Sequence, residues 1–200
     1  MFVQLFFGEP ADADGLARQW HAWTRDLAPG ATGWLGSTGG VSQQGSFCGA
    51  ARFESEASAR ANSDRPEQGE WWKATDAMFS GPVTFVDSSD VTVVHGGGSD
   101  DAGFVQLMRA TCSDRARLEA LEAEVEDLFQ QWRPDFIGGL RVWEPGGTLT
   151  GVDYFTSVEE ARAGEASAPP PGLAEKFGEW QGLLSEVSWY DITDPWCASP

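Results

Sequence analysis

Phe2-Val3-Gln4-Leu5 recurs as Phe104-Val105-Gln106-Leu107, 102 residues further along the chain. Kept in register without a gap as far as Asn62, the same offset pairs Asp12 with Asp114, Leu16 with Leu118, Gly36 with Gly138 and Gly45 with Gly147. It also pairs Gly49 with Gly151, Phe53 with Phe155, Ser55 with Ser157, and Ala59-Arg60-Ala61 with Ala161-Arg162-Ala163. Background composition would give roughly four identities over such a stretch; fourteen occur. Two residues then enter the second copy, so that Val83, Asp87 and Asp90 align with Val187, Asp191 and Asp194. The chain therefore reads as two copies of one unit: a first repeat over 1–95, a Gly/Asp-rich linker over 96–103, a second repeat over 104–194, and a tail at 195–200.

Each copy reads as strand, helix, strand, strand, helix, strand. After the strand at 2–8, Asp12 is a good helix cap, and Leu16, Trp20, Trp23 and Leu27 recur at the spacing of one buried helical stripe. The counterpart opens at Ser113 and carries Leu118, Leu121, Val125, Leu128, Phe129 and Trp132. Hairpins are predicted over 33–41 with 47–54, and over 136–144 with 148–156, each pair bridged by a glycine-containing turn. Second helices begin near 56 and 158, break at Pro66 and at Pro169-Pro170-Pro171, and resume before last strands at Val83 to Val86 and Val187 to Tyr190.

The order βαββαβ is the ferredoxin-like pattern, an antiparallel sheet with both helices on one face. Alternation along the first strand sets Val3, Leu5 and Phe7 on one side and Phe2, Gln4 and Phe6 on the other. The wholly apolar first set suits the face beneath the helices. Phe2, Gln4 and Phe6, with Phe104, Gln106 and Met108 in the second copy, are then expected on the open face. Two open faces in one chain can close on each other, giving an α+β fold in which two ferredoxin-like repeats pack their antiparallel sheets into one pseudo-twofold barrel. Such a chain is expected to be a monomer containing its own pseudo-dimer.

The short first strand, together with Arg52-Phe53-Glu54-Ser55-Glu56-Ala57 and Tyr154-Phe155-Thr156-Ser157-Val158-Glu159 at the junction into the second helix, resembles the dimeric α+β barrel superfamily, specifically its antibiotic-biosynthesis-monooxygenase-like branch. The resemblance spans both halves. It implies a pocket between sheet and second helix in each repeat, accepting a hydrophobic or aromatic small molecule. The residues at matching places are Gln4, Gln106, Asn62, Trp71, Trp72 and Trp180; Arg52 and Tyr154, paired by the repeat yet unlike, complete the candidate pocket set. Haem-degrading members place an Asn on the first strand and a His late in the second helix, whereas this chain has Gln at the first position and no His between residues 22 and 94.

Bare motif reading adds little chemistry. No Ser-His-Asp order, nucleotide loop or metal-ligand cluster is present, so no cofactor is implied and no catalytic residue is assigned. Asp87, Asp90, Asp191 and Asp194 follow strands and read as turn caps in preference to metal ligands. His21 falls off the apolar stripe and His95 meets the glycine linker. Cys48, Cys112 and Cys197 are too far apart for a zinc or redox motif. Thirty-one acidic against thirteen basic residues, a formal charge of −18, repel phosphate backbones and anionic membranes. With no apolar run approaching the ~18 residues of a membrane span, a soluble cytoplasmic protein is expected. Two functions fit: a cofactor-independent monooxygenase-like enzyme acting on an aromatic substrate in a barrel pocket, or a non-catalytic barrel that binds a small molecule or serves a stress-related role.

Overall fold

A computed structural model describes residues 1–200. The first repeat runs β1 (Phe2–Gly8), α1 (Ala13–Asp26), β2 (Trp34–Val41), β3 (Phe47–Phe53), α2 (Glu56–Ser63), α3 (Pro66–Asp76) and β4 (Thr84–Ser88), followed by β5 (Val91–Val94). The second runs β6 (Phe104–Cys112), α4 (Arg115–Trp132), β7 (Phe136–Trp143), β8 (Thr148–Phe155), α5 (Val158–Ala166), α6 (Pro171–Gly182) and β9 (Leu184–Ile192), followed by β10 (Trp196–Ala198). The repeated residues set matching boundaries. Asp12 and Asp114 accept hydrogen bonds from the backbone N–H groups of Gly15 (2.8 Å) and Arg117 (3.0 Å), capping α1 and α4. The second cap is thus Asp114, one residue beyond Ser113. Ser55 and Ser157 cap α2 and α5 in the same way. Gly36 and Gly138, at φ 134° and 156°, sit in the bulges where β2 and β7 step out of register with β3 and β8.

Two five-stranded antiparallel sheets result, in the orders β10-β2-β3-β1-β4 and β5-β7-β8-β6-β9. Each repeat sends its final short strand to the other repeat's sheet: β5 pairs with β7, and β10 pairs with β2 through Trp196 opposite Gly39. The residues read from sequence as a tail therefore hold an edge strand. β5 and β10 went unseen because four and three residues are too short for alternation to register.

The facing of β1 and β6 is the reverse of the sequence expectation. Val3, Leu5, Cys48, Ala50 and Val86 of one sheet pack against Val105, Leu107, Leu140, Val142, Val152, Tyr154 and Ile192 of the other, in one inter-sheet core. Phe2 and Phe6 instead lie under the helices with Trp23, Trp34, Leu16 and Trp20, and Phe104 and Met108 do so in the second repeat. Both alternating sets on β1 are apolar enough to be buried, so size decides. Twisted sheets packing about 10 Å apart interdigitate medium aliphatic side chains from both faces, while the wider gap beneath a helix layer is filled by aromatics. No helix is long and apolar enough to cross a membrane.

Candidate functional site: two unequal cavities

One cavity opens between sheet and helices in each repeat, with Gln4 in the first and Gln106 in the second. Both glutamines make the same bond: Gln4 Nε2 donates to Asp87 Oδ1 and Gln106 Nε2 to Asp191 Oδ1, each at 2.8 Å. Arg60 and Arg162, also repeat mates, pair with the same two aspartates. A Gln-Asp-Arg set thus recurs in both repeats and satisfies itself. At each mouth stands an exposed edge-strand aromatic, Phe85 or its mate Trp189, each 44% exposed.

The first cavity, of about 410 Å³, is walled by Trp20, Trp23, Trp71, Trp72, Phe6 and Phe85. Asn62 lies in its lining and accepts from Arg65 Nη1 (2.9 Å). Trp23 donates to Gln68 (2.6 Å), and Trp71 to the Gln19 carbonyl (2.9 Å). Trp20 is buried, and its Nε1 has no partner.

The second cavity is larger, about 650 Å³, because α4 carries Glu122 and Val125 where α1 carries Trp20 and Trp23. Its roof is consequently incomplete: Leu118 and Leu121 are buried, but Val125 and Phe129 are half-buried against the cavity and Leu128 is exposed, so the six-residue stripe read from sequence is filled only at its N-terminal end. Trp180 lies in this lining and donates to Glu122 Oε1 (3.3 Å).

Three positions turn this larger cavity polar. Arg141 donates to Asp153 Oδ1 (2.7 Å) and to Glu122 Oε1 (3.0 Å), with side-chain exposures of 13%, 19% and 26% for Arg141, Asp153 and Glu122. In the first repeat the equivalent residues are Gly39, Ala51 and Trp20. The backbone beneath has adapted on both sides. A Cβ on Gly39 would lie 2.8 Å from the Trp20 ring, and one on Gly139, the mate of Ser37, would lie 2.6 Å from Asp153 Oδ1. One cation between two carboxylates leaves a formal excess of one negative charge. Burial pushes the Asp153 carboxyl above its ordinary range against the pull of Arg141. Burial also works against the Arg141 charge, but Asp153 and Glu122 override it and hold the guanidinium protonated. Asp153 Oδ2 has no partner in the protein, and the buried Trp143 indole in the same lining has a free Nε1.

Arg52 and Tyr154 line neither cavity. Tyr154 belongs to the inter-sheet core, where its hydroxyl bonds Thr38 Oγ1 at 2.7 Å and burial raises its pKa to about 12, and Arg52 is buried opposite Val3 on the same side of its sheet. The Arg52 guanidinium lies against Gly36 and Gly98, and its Nε is buried without a partner. Being a Phe53 or Phe155 neighbour on a strand, each must face away from the cavity that the phenylalanine lines. Cys48 and Cys197 are shielded thiols, raised by burial to about 12 and about 11. From sequence alone, Arg141 and Asp153 fall on the strands predicted over 136–144 and 148–156 with their facing undetermined, Glu122 falls off the apolar stripe of its helix, and Trp143 carries no signal. Aligning α4 on α1 exposes Glu122, an acid standing where its mate is a core tryptophan.

No family model and no curated protein matches the sequence. Solved structures do match along its whole length. A proposed monooxygenase from Lactobacillus acidophilus NCFM superposes with a TM-score of 0.73 at 10% identity over 99% of both chains. One from Fusobacterium nucleatum gives 0.76 at 4% identity, covering 99% of this chain and 94% of that one, and an anthrone oxidase-like protein gives 0.67 at 13%, covering 100% and 94%. The chain shares with these proteins one fold, two α+β repeats whose five-stranded antiparallel sheets pack face to face. The two repeats supply within one chain the pair of sheets that closes the barrel, and the charged cavity belongs to the second.

Proposed function

We propose that the protein is a cofactor-independent, monooxygenase-like enzyme whose working site is the cavity of the second repeat. The observation that carries this reading is the exchange of Trp20, Gly39 and Ala51 for Glu122, Arg141 and Asp153 between otherwise equivalent cavities. Buried charge is costly, and where structure alone is needed the first repeat fills the same space with an indole. The anthrone oxidase-like neighbour shares the fold and motivates the choice of substrate class.

In this reading an electron-rich aromatic with an acidic ring C–H stacks among Phe129, Phe136, Phe177 and Trp180. Asp153 Oδ2 takes the ring proton, its affinity for that proton raised by burial. Arg141 and Glu122 hold Asp153 in place. The resulting carbanion reduces molecular oxygen: a ring CH₂ becomes a ring C=O, one oxygen atom enters the product and the other leaves as water.

Oxygen uptake with a panel of anthrones and quinols tests this. Wild type should consume oxygen, and Asp153→Asn should lose about 100-fold or more in kcat, the usual worth of a positioned general base. The acid limb of kcat/KM should lie above the ordinary carboxylate range, with activity falling as pH drops and Asp153 takes a proton. Absence of uptake by wild type, with the same compounds still bound, would favour a non-catalytic binding barrel. Direct hydrogen bonding of Arg141 to both carboxylates also suits that second reading.

A further inference from the structure

Ten of the eleven arginines stand within ion-pair distance of a carboxylate. Arg52 does not, although it is only 7% exposed. Arg133, buried to the same depth, is paired with Asp135 at 2.7 Å. With thirty-one acidic residues in the chain, the difference is not a shortage of partners. Tyr154, the repeat mate of Arg52, completes its bonding inside the protein on Thr38. The Arg52 guanidinium donates to no group of the protein; its Nε is sealed from solvent, whereas Nη1 and Nη2 remain open to it. A cation held this deep without a counterion is costly, and a bound ion is one of the recognised reasons for such a group.

The surroundings leave one approach. A Cβ on Gly98 would lie 2.8 Å from Cζ and 2.9 and 3.0 Å from the two Nη atoms, so the linker covers a face of the planar group. A Cβ on Gly36, at the bulge of β2, would collide with Nη2. What stays open is the end carrying Nη1 and Nη2, where two parallel N–H donors match the two oxygens of a carboxylate. The nearby linker acid is held elsewhere, since Asp100 Oδ2 accepts from Ser199 Oγ at 2.7 Å. The Tyr154 hydroxyl and the Cys197 thiol both feel the Arg52 charge, yet burial raises them to about 12 and about 11, so they stay neutral and supply no counter-charge. One unmatched cation calls for one negative charge.

We propose that Arg52 anchors a site for a small monocarboxylate at the seam between the repeats, its two oxygens accepting from Nη1 and Nη2 beneath Gly98. The bound anion ties β3 of the first repeat to the linker. Arg52 faces away from both cavities, so failure of oxygen uptake leaves this site standing.

Acetate is the probe, against chloride and sulfate at equal ionic strength, on ¹⁵N-labelled full-length protein. The Arg52 Nε–H signal, identified by its loss in Arg52→Met, and the Gly98 amide signal should move saturably with acetate. Chloride lacks the second acceptor atom and sulfate carries a second charge, so each should move them about tenfold less at the same concentration. Acetate should also raise the Tm of wild type and not that of Arg52→Met, because a ligand held only by the folded form stabilises it. Signals that stay still throughout the acetate titration, signals that move equally with all three anions, or an equal gain in Tm for Arg52→Met would overturn the proposal. The Gly98 amide is assigned through the backbone, so the wild-type titration decides even if the variant folds poorly.

Discussion

The two cavities share a frame and differ in filling. Both rest on a Gln-Asp-Arg set, both lie under a capped helix, and both open beside an edge-strand aromatic. Between them, an indole over a glycine in the first repeat is replaced by an arginine clasped by two carboxylates in the second. Duplication explains why this is tolerated: one copy preserves the packing while the other takes on buried charge. The shared set belongs to the fold, and the unshared one marks where chemistry is to be sought.

Arg141→Met is the strongest way to break that comparison. It strands Asp153 and Glu122 without their cation and should destabilise the protein by about 3 kcal/mol, the lower end for splitting a buried pair because water reaches the cavity. Urea denaturation reads the loss. Writing the first repeat's residues into the second, as Glu122→Trp with Arg141→Gly and Asp153→Ala, should recover most of it; a triple variant as unstable as the single one would mean that the cavities are not interchangeable. Trp196→Ala should also cost about 3 kcal/mol, since the ring packs on Trp20 and Phe47, whereas its repeat mate Thr92 is exposed and Thr92→Ala should change stability by less than about 0.5 kcal/mol. Tyr154→Phe leaves Thr38 without its buried partner, and a loss of about 1–2 kcal/mol in thermal melts is expected. Smallest are Gln4→Leu and Gln106→Leu, each within about 1 kcal/mol and nearly equal; a large difference between them would show that the glutamines are not a common structural device.

Much of this was legible in the residues. Repeated glycines, Asp12 with Asp114 and Ser55 with Ser157, carried the element order, because caps and turns are local chemistry. Facing was not, since Phe2 and Phe6 are as apolar as Val3 and Leu5, and only the spacing between packed layers distinguishes them. That inversion is also why Arg52 and Tyr154 fell outside the cavities. The glutamines, Asn62 and the tryptophans 71, 72 and 180 were placed beside cavities, yet most bind neighbouring protein groups. The charged trio spans α4, β7 and β8, and no spacing in the chain announces it. Reading one repeat against the other does, position by position.

The exchange of β5 and β10 between sheets bears on how the molecule is made. Gly39 waits for Trp196, a separation of more than 150 residues, so during synthesis at ~5–20 residues per second β2 remains an open edge for on the order of ten seconds. An open edge is a template for unwanted pairing, and contacts this distant in sequence slow folding. Neither half can be excised as a complete sheet, so the lineage that fused two units also made them inseparable: a nonsense or frameshift truncation that spares the whole first repeat still robs it of a strand.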